Sequence, residues 1–185
     1  MAWIIFSYRT PTEPSTLRVR AWRTLKALGV VYIQQSVCVA PDTPEVRKRL
    51  EQIQKQINDS GGESLLLEVA NFAQSTEEYL IDAFNSQRLL EYEEFYAGCN
   101  NFLKEIDMEM ERENFTFREV EENEADLMKL RKWYRRVMKR DYFITPKLTE
   151  AKSKLDLCES VLLEFTNKVY QSEGYSEGQI LQEPL

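Results

Sequence analysis

Histidine is absent from the 185 residues. Without an imidazole there is no Ser/His/Asp or Cys/His nucleophile, and no Glu-x-x-His ligand of the kind that holds di-iron in helical bundles. Cysteine is scarce as well: Cys38, Cys99 and Cys158 are odd in number and form no CxxC pair, so no zinc or other metal site is expected. Carboxylate, Lys, Arg and Tyr chemistry is what remains. Glycine and proline number only six each, which excludes a collagenous or low-complexity chain. With 43% hydrophobic and 11% aromatic residues, the composition is globular. Long apolar runs are missing too. The longest near the N-terminus is Ala2 to Phe6, with no basic stretch ahead of it and Arg9 just behind, so neither a signal peptide nor a membrane span is expected and the location expected is cytoplasmic. A chain of this length buries roughly 70% of its unfolded surface, and no cofactor is needed to fold it.

The net charge of −7 is unevenly spread. Residues 1–60 carry a net +4, 61–127 a net −14, 128–154 a net +8 and 155–185 a net −5. An acidic whole weighs against coating nucleic acid, yet local basic patches can still act.

The first 72 residues alternate short apolar runs with helical patterns. Trp3-Ile4-Ile5-Phe6 reads as a buried strand. The loop through Thr10-Pro11 and Pro14 stops it, and Ser15 is placed to cap a helix. Leu17, Ala21, Leu25 and Leu28 form that helix's core stripe, closed by Gly29. Val30 to Val39 returns to β character, as one bent strand or as two that break near Gln34-Gln35. Thr43-Pro44 starts a second helix with Val46, Leu50, Ile53 and Ile57 inward, and Leu65-Leu66-Leu67 supplies a last strand. The order packs most simply as a ferredoxin-like βαββαβ domain over residues 1–72, with both helices on one face of an antiparallel sheet.

From Ser75 the period is helical. A capping box is read at Ser75-x-x-Glu78. Three apolar faces follow, through Tyr92, Phe95, Cys99, Phe102 and Ile106, through Val120, Leu127, Leu130, Tyr134 and Val137, and through Ala151, Leu155, Cys158, Leu162, Phe165 and Val169. They predict a three-helix antiparallel bundle over 75–173 and a frayed tail over 174–185, giving an α+β protein.

Two stretches are recognisable. One is Thr12-Glu13-Pro14-Ser15 followed by Leu17-Arg18-Val19-Arg20-Ala21-Trp22-Arg23 and Leu25-Lys26-Ala27-Leu28-Gly29. The other runs from Asn114-Phe115-Thr116-Phe117 through Glu121-Glu122-Asn123-Glu124 and Asp126-Leu127 to Arg131-Lys132-Trp133 and Arg140-Asp141-Tyr142-Phe143. Together they resemble the N-terminal region of the ChrB family, linked to bacterial chromate resistance. The resemblance implies a regulator of chromate-resistance genes that acts on operator DNA and responds to chromate. Longer members carry a further C-terminal domain, which these 185 residues do not include. A fainter likeness, over the first 70 residues, is to CRISPR-associated ferredoxin-fold endonucleases and to the dimerising domain of phenylacetate-pathway repressors. Such a nuclease wants an Asp at the end of its first strand, where this sequence has Phe6-Ser7-Tyr8.

Two basic clusters carry the candidate sites. Arg18, Arg20 and Arg23 ring an off-stripe Trp22, a partner or nucleic-acid surface if exposed. The alternative packs Trp22 under the helical bundle and pairs the arginines with its acidic face. Lys129 to Arg140 holds seven basic residues around Trp133 and Tyr134. Arg131, Arg135 and Arg136 there can hold DNA phosphates or an oxyanion such as chromate, with Trp133 a partner surface, or else neutralise Glu91, Glu93, Glu94, Glu105 and Glu109. The carboxylates Glu105, Asp107, Glu109, Glu111 and Glu113 read as a solvated face, and Cys99 and Cys158 as core thiols. The expectation is a non-catalytic regulator and a homodimer, paired through the uncharged strand around Tyr32, Gln34 and Ser36. A scaffold without DNA binding and a metal-dependent nuclease are the alternatives.

Overall fold

The N-terminal apolar tetrad extends into a longer strand. In the computed structural model, which describes residues 1–13 and 15–174, β1 is Trp3–Arg9. It is followed by α1 (Ser15–Leu28), β2 (Val31–Gln34), β3 (Val37–Pro41), α2 (Pro44–Asp59), β4 (Glu63–Val69), α3 (Gln74–Glu111), α4 (Phe117–Met138) and α5 (Lys147–Ser172). The chain is therefore α+β. Its four strands pair antiparallel in the order β2-β3-β1-β4. Two compact units result: Met1–Arg88 with Arg140–Ile144, and Leu89–Lys139 with the described residues from Thr145 onward.

In the first unit, successive β1 side chains point to opposite faces. Ile4 and Phe6 pack with Ala21, Leu25 and Leu28 of α1 and Val46, Leu50, Ile53 and Ile57 of α2. Trp3 takes the other face, among Val39 and the α3 residues Leu80 and Phe84, with Phe72 and Phe143 around its ring. Each fully buried side chain of this size contributes roughly 1.5–3 kcal/mol. Thr43 caps α2, its hydroxyl accepting from Val46 N at 3.2 Å with Pro44 in the first turn. The α1 stripe ends where the glycine requires it. Gly29 has φ 67°, and the amides of Gly29 and Val30 donate to Lys26 O and Leu25 O, the paired closure that needs a left-handed residue. A Cβ there would also lie 2.7 Å from Arg88 Nη1 and 3.0 Å from Arg140. The segment Arg140–Ile144 secures the same helix end, Tyr142 Oη donating to Leu28 O at 2.6 Å.

In the second unit, the three apolar faces close on one core, with Tyr92, Phe95, Cys99 and Ile106 of α3 against Leu127, Tyr134 and Val137 of α4 and Leu155, Cys158 and Phe165 of α5. Thr116 caps α4 by accepting from Glu119 N at 3.3 Å.

Three local expectations change. Ser75 sits inside the first turn of α3 rather than before it, and Ala73 O receives the Thr76 and Glu77 amides. The helix starts ahead of the serine, with Ala73 O accepting the first intrahelical bonds, so the Ser75 hydroxyl is not at the capping position. Glu109 is buried, not solvated: it accepts from Asn114 Nδ2 at 2.5 Å and pairs with Arg112 at 3.3 Å. That holds the end of α3 to the turn after it, where Glu113 adopts φ 53°. The cation Arg131 pairs with Glu159 of α5, not with an acid of α3. The cap assigned to the Ser15 side chain, and the tail from 175 to 185, lie outside the described residues.

Candidate functional site

The first unit carries a groove of about 660 Å³, lined by Tyr8 and Thr10 at the end of β1, Arg18, Val19 and Trp22 of α1, and Tyr32 to Ser36 of the β2–β3 hairpin. Its floor follows from strand alternation. Tyr8 is next after Ile4 and Phe6 on the helix-covered face, where it packs against the core from its margin and is only partly buried. It stacks on Phe6 with ring centroids 5.5 Å apart. Its hydroxyl meets the Tyr32 hydroxyl at 3.0 Å. Burial raises both phenol pKa values above the ordinary tyrosine range, so the pair is neutral at physiological pH. Beneath it Cys38 donates to Phe6 O at 3.6 Å, and burial pushes that thiol up to about 12. Ser36 turns the hairpin at φ 62°, a conformation that favours Gly or Asn, and its carbonyl receives Tyr8 N at 3.0 Å. A left-handed residue held by its surroundings at the rim of a groove is the kind of strain that clusters at functional sites.

The charge at this groove has one sign. Helix α1 carries Arg18, Arg20, Arg23 and Lys26 and no acidic residue. Trp22 is 49% exposed, and Lys26 Nζ lies over its ring at 5.2 Å. Arg18, Arg20 and Arg23 are all exposed, and among the described residues none of them enters an ion pair. Arg18 lines the groove with Trp22, while Arg20 and Arg23 border a second, smaller depression with Thr16, Val19 and Thr24.

The family model for the N-terminal part of Protein ChrB matches residues 18–176. The chain belongs to the ChrB N-terminal family. Protein ChrB of Cupriavidus metallidurans is 31% identical over 68 residues, which is 37% of this chain and 21% of that protein. The chain thus spans about a fifth of the length of this ChrB relative. The family match takes in α1 from Arg18, the hairpin and the basic helix α4, whereas Tyr8 and Thr10 precede it.

The second basic cluster of this ChrB-family chain is arranged differently. Trp133 is half buried and packs edge-on against Phe95 at 5.9 Å. Gly98 makes the room: a Cβ there would lie 3.1 Å from Trp133 Cζ3. Arg131 Nε donates to Glu159 at 2.7 Å and Lys129 pairs with Asp126 at 2.5 Å. Arg135 and Arg136 are exposed in the last turn of α4, where cations complement the helix dipole. Of the residues singled out from the sequence, the structure brings Arg18 and Trp22 to one groove, sets Arg20 and Arg23 beside it, and packs Trp133 into the second unit. Sequence reading missed Tyr8, whose signal was its place two residues beyond Phe6 in the strand alternation. Among the described residues, no three His, Cys, Asp or Glu side chains come together to hold a metal ion, and no helix is long and apolar enough to cross a membrane.

Proposed function

We propose that this ChrB-family chain is a non-catalytic regulatory module of chromate resistance that binds DNA through α1. The observation that carries the reading is the exposed set Arg18, Arg20 and Arg23 on a helix without an acidic residue, in no ion pair among the described residues. Free guanidinium groups of this kind neutralise phosphates and release counterions. The lack of histidine supports a non-catalytic role, as does Phe6-Ser7-Tyr8 where a nuclease of this type needs a carboxylate. The βαββαβ order and the strand order β2-β3-β1-β4 support reading the first unit as ferredoxin-like, and the shared core of α3, α4 and α5 supports a three-helix bundle. Oxyanion capture at Arg131, Arg135 and Arg136 has less behind it, because Arg131 is already engaged by Glu159.

The test is a salt-titrated binding assay on a duplex taken from upstream of its own gene. Each neutralised phosphate adds about 0.9 to the slope of log K against log salt, so replacing Arg18, Arg20 and Arg23 by Ala should flatten it by up to about three. Absence of binding at low salt, or an unchanged slope in the variant, overturns the assignment.

A homodimer belongs to the same proposal, with its interface moved. Strand β2 has four residues and a register shift between Tyr32 and Gln34, and such a bulge blunts an edge. The opposite edge, β4, is seven residues long, with Leu65 62% and Leu67 49% exposed. Light scattering should return twice 21.9 kDa, and Leu65→Lys with Leu67→Lys should halve that mass. A monomer in the parent removes the dimer from the proposal.

A further inference from the structure

We propose that the groove of α1 and the β2–β3 hairpin binds one unstacked nucleotide, its base against Trp22 and Tyr32 and its phosphate on Arg18. The volume, about 660 Å³, lies within the range of sites that enclose a small planar ligand. The walls are aromatic and aliphatic, from Trp22, Tyr8, Tyr32, Val19 and Ile33, and no acidic residue is among the described residues that line it. Among the described residues Arg18 is the one charged group in the lining, which selects an anion. Neutral phenols at Tyr8 and Tyr32 leave hydroxyl donors and acceptors at the floor. The amides of Gln34 and Gln35 stand at the rim, able to donate and accept at once, as a base edge requires. A stacked duplex keeps its base faces covered. An aromatic floor is therefore useful only to a base that is already free, whether of a mononucleotide or of an unpaired stretch of strand.

Duplex binding by α1 shares Arg18 with the groove but also uses Arg20 and Arg23, which do not line it, so Trp22→Ala on one side and Arg20→Ala with Arg23→Ala on the other let the two readings fail separately. The experiment is a titration of the full chain, followed by calorimetry and tryptophan fluorescence. The probes are adenosine monophosphate, a four-nucleotide oligodeoxyadenylate, adenosine and ribose 5-phosphate. The nucleotide should bind at least about fivefold more tightly than either adenosine or ribose 5-phosphate, the factor expected of one stacked base or one charged contact. Trp22→Ala and Arg18→Ala should each weaken it by a similar factor, while Arg20→Ala with Arg23→Ala leaves it intact. Both altered side chains are exposed, so the variants should keep the parent's circular dichroism. Tyr32→Phe is a second probe that keeps the ring and removes the hydroxyl pair. A tetranucleotide that binds more than about tenfold more tightly than the monophosphate identifies a strand as the source, and equal binding identifies a free nucleotide. Ribose 5-phosphate binding as well as the nucleotide, an unaffected Trp22→Ala variant, or no binding at millimolar ligand overturns the proposal.

Discussion

Helices α1 and α4 carry nearly the same words, a tryptophan set among arginines and lysines, and the fold treats them in opposite ways. In α1 the tryptophan stands half exposed over a groove, and its arginines meet no acid among the described residues. In α4 the tryptophan is packed edge-on against Phe95, Gly98 leaves room for it, and Arg131 is tied to Glu159. The difference is in what lies across from each helix. One side of α1 closes the sheet core, and Trp22 falls off that stripe. In α4 the stripe Leu127, Leu130, Tyr134 and Val137 is wide enough to draw the adjacent Trp133 into the seam with α3. Basic-aromatic composition is therefore not by itself a nucleic-acid signal. The decisive variable is whether the ring has a neighbouring element to bury against.

The sharpest way to break this comparison is to remove each ring. Trp133→Ala should lower stability by about 2–4 kcal/mol, the cost of taking a large aromatic from a packed seam and leaving a cavity. Trp22→Ala should change it by no more than about 0.5 kcal/mol, as for a surface substitution. Thermal or urea unfolding of both variants measures the pair, and equal losses would erase the distinction.

The core was legible because burial has a period. Leu17, Ala21, Leu25 and Leu28, and the seam from Ala151 to Val169, lie on stripes of 3 and 4 spacing, and those side chains are buried as the pattern requires. Gly29 and Thr43-Pro44 were legible because a left-handed closure and a first-turn proline admit few residues. Other features have no period. Arg140–Ile144 lies far along the chain from α1, yet Tyr142 closes on Leu28 O, and no local pattern reports a contact between residues so distant in sequence. Of the groove, Arg18 and Trp22 could be read, because off-stripe residues on a helix must point away from the core. Its floor could not. Tyr8 becomes a site residue through Tyr32, a neighbour set by strand order, which hydrophobic alternation alone leaves open.

Gly29→Ala sharpens the comparison from the other end of α1. It forces a Cβ into φ 67° and against Arg88 and Arg140, so it should cost about 1–3 kcal/mol. Gly98→Ala should cost less than about 1 kcal/mol, since Trp133 needs to yield only a few tenths of an ångström and alanine inside a helix recovers about 1 kcal/mol over glycine. Unfolding midpoints in that order support the view that α1 is anchored at its C-terminal end, and the reverse order would place the tighter constraint in the second unit.

Tyr142 extends this to pH. Burial raises its phenol pKa from 10.0 to about 12. A folded-state pKa above the unfolded one means the contribution is fully present below about pH 10 and is lost as pH rises through about 12. Tyr142→Phe should cost about 1 kcal/mol at neutral pH through the hydrogen bond to Leu28 O, and should flatten the alkaline limb of stability. Unfolding curves at pH 8, 10 and 11 on both proteins test it, and an unchanged limb would place the alkaline titration on another tyrosine.

The smallest effect separates the two sets of arginines. Arg131 and Glu159 are both partly exposed, with side-chain exposures of 43% and 37%, so screening limits their pair to about 0.5 kcal/mol. A double-mutant cycle with Arg131→Ala and Glu159→Ala should recover a coupling of that order at low salt, and it should shrink as salt is raised past about 0.15 M, where the Debye length is near 8 Å. Arg18→Ala, with no ion pair to lose among the described residues, should leave stability unchanged at every salt concentration. Coupling at Arg131 and none at Arg18 means that one helix spends its cations on its own fold and the other holds them available for an anion. A stability loss at Arg18→Ala equal to that at Arg131→Ala would mean that α1 is neutralised in solution, and its groove would then lose the charge that selects the ligand.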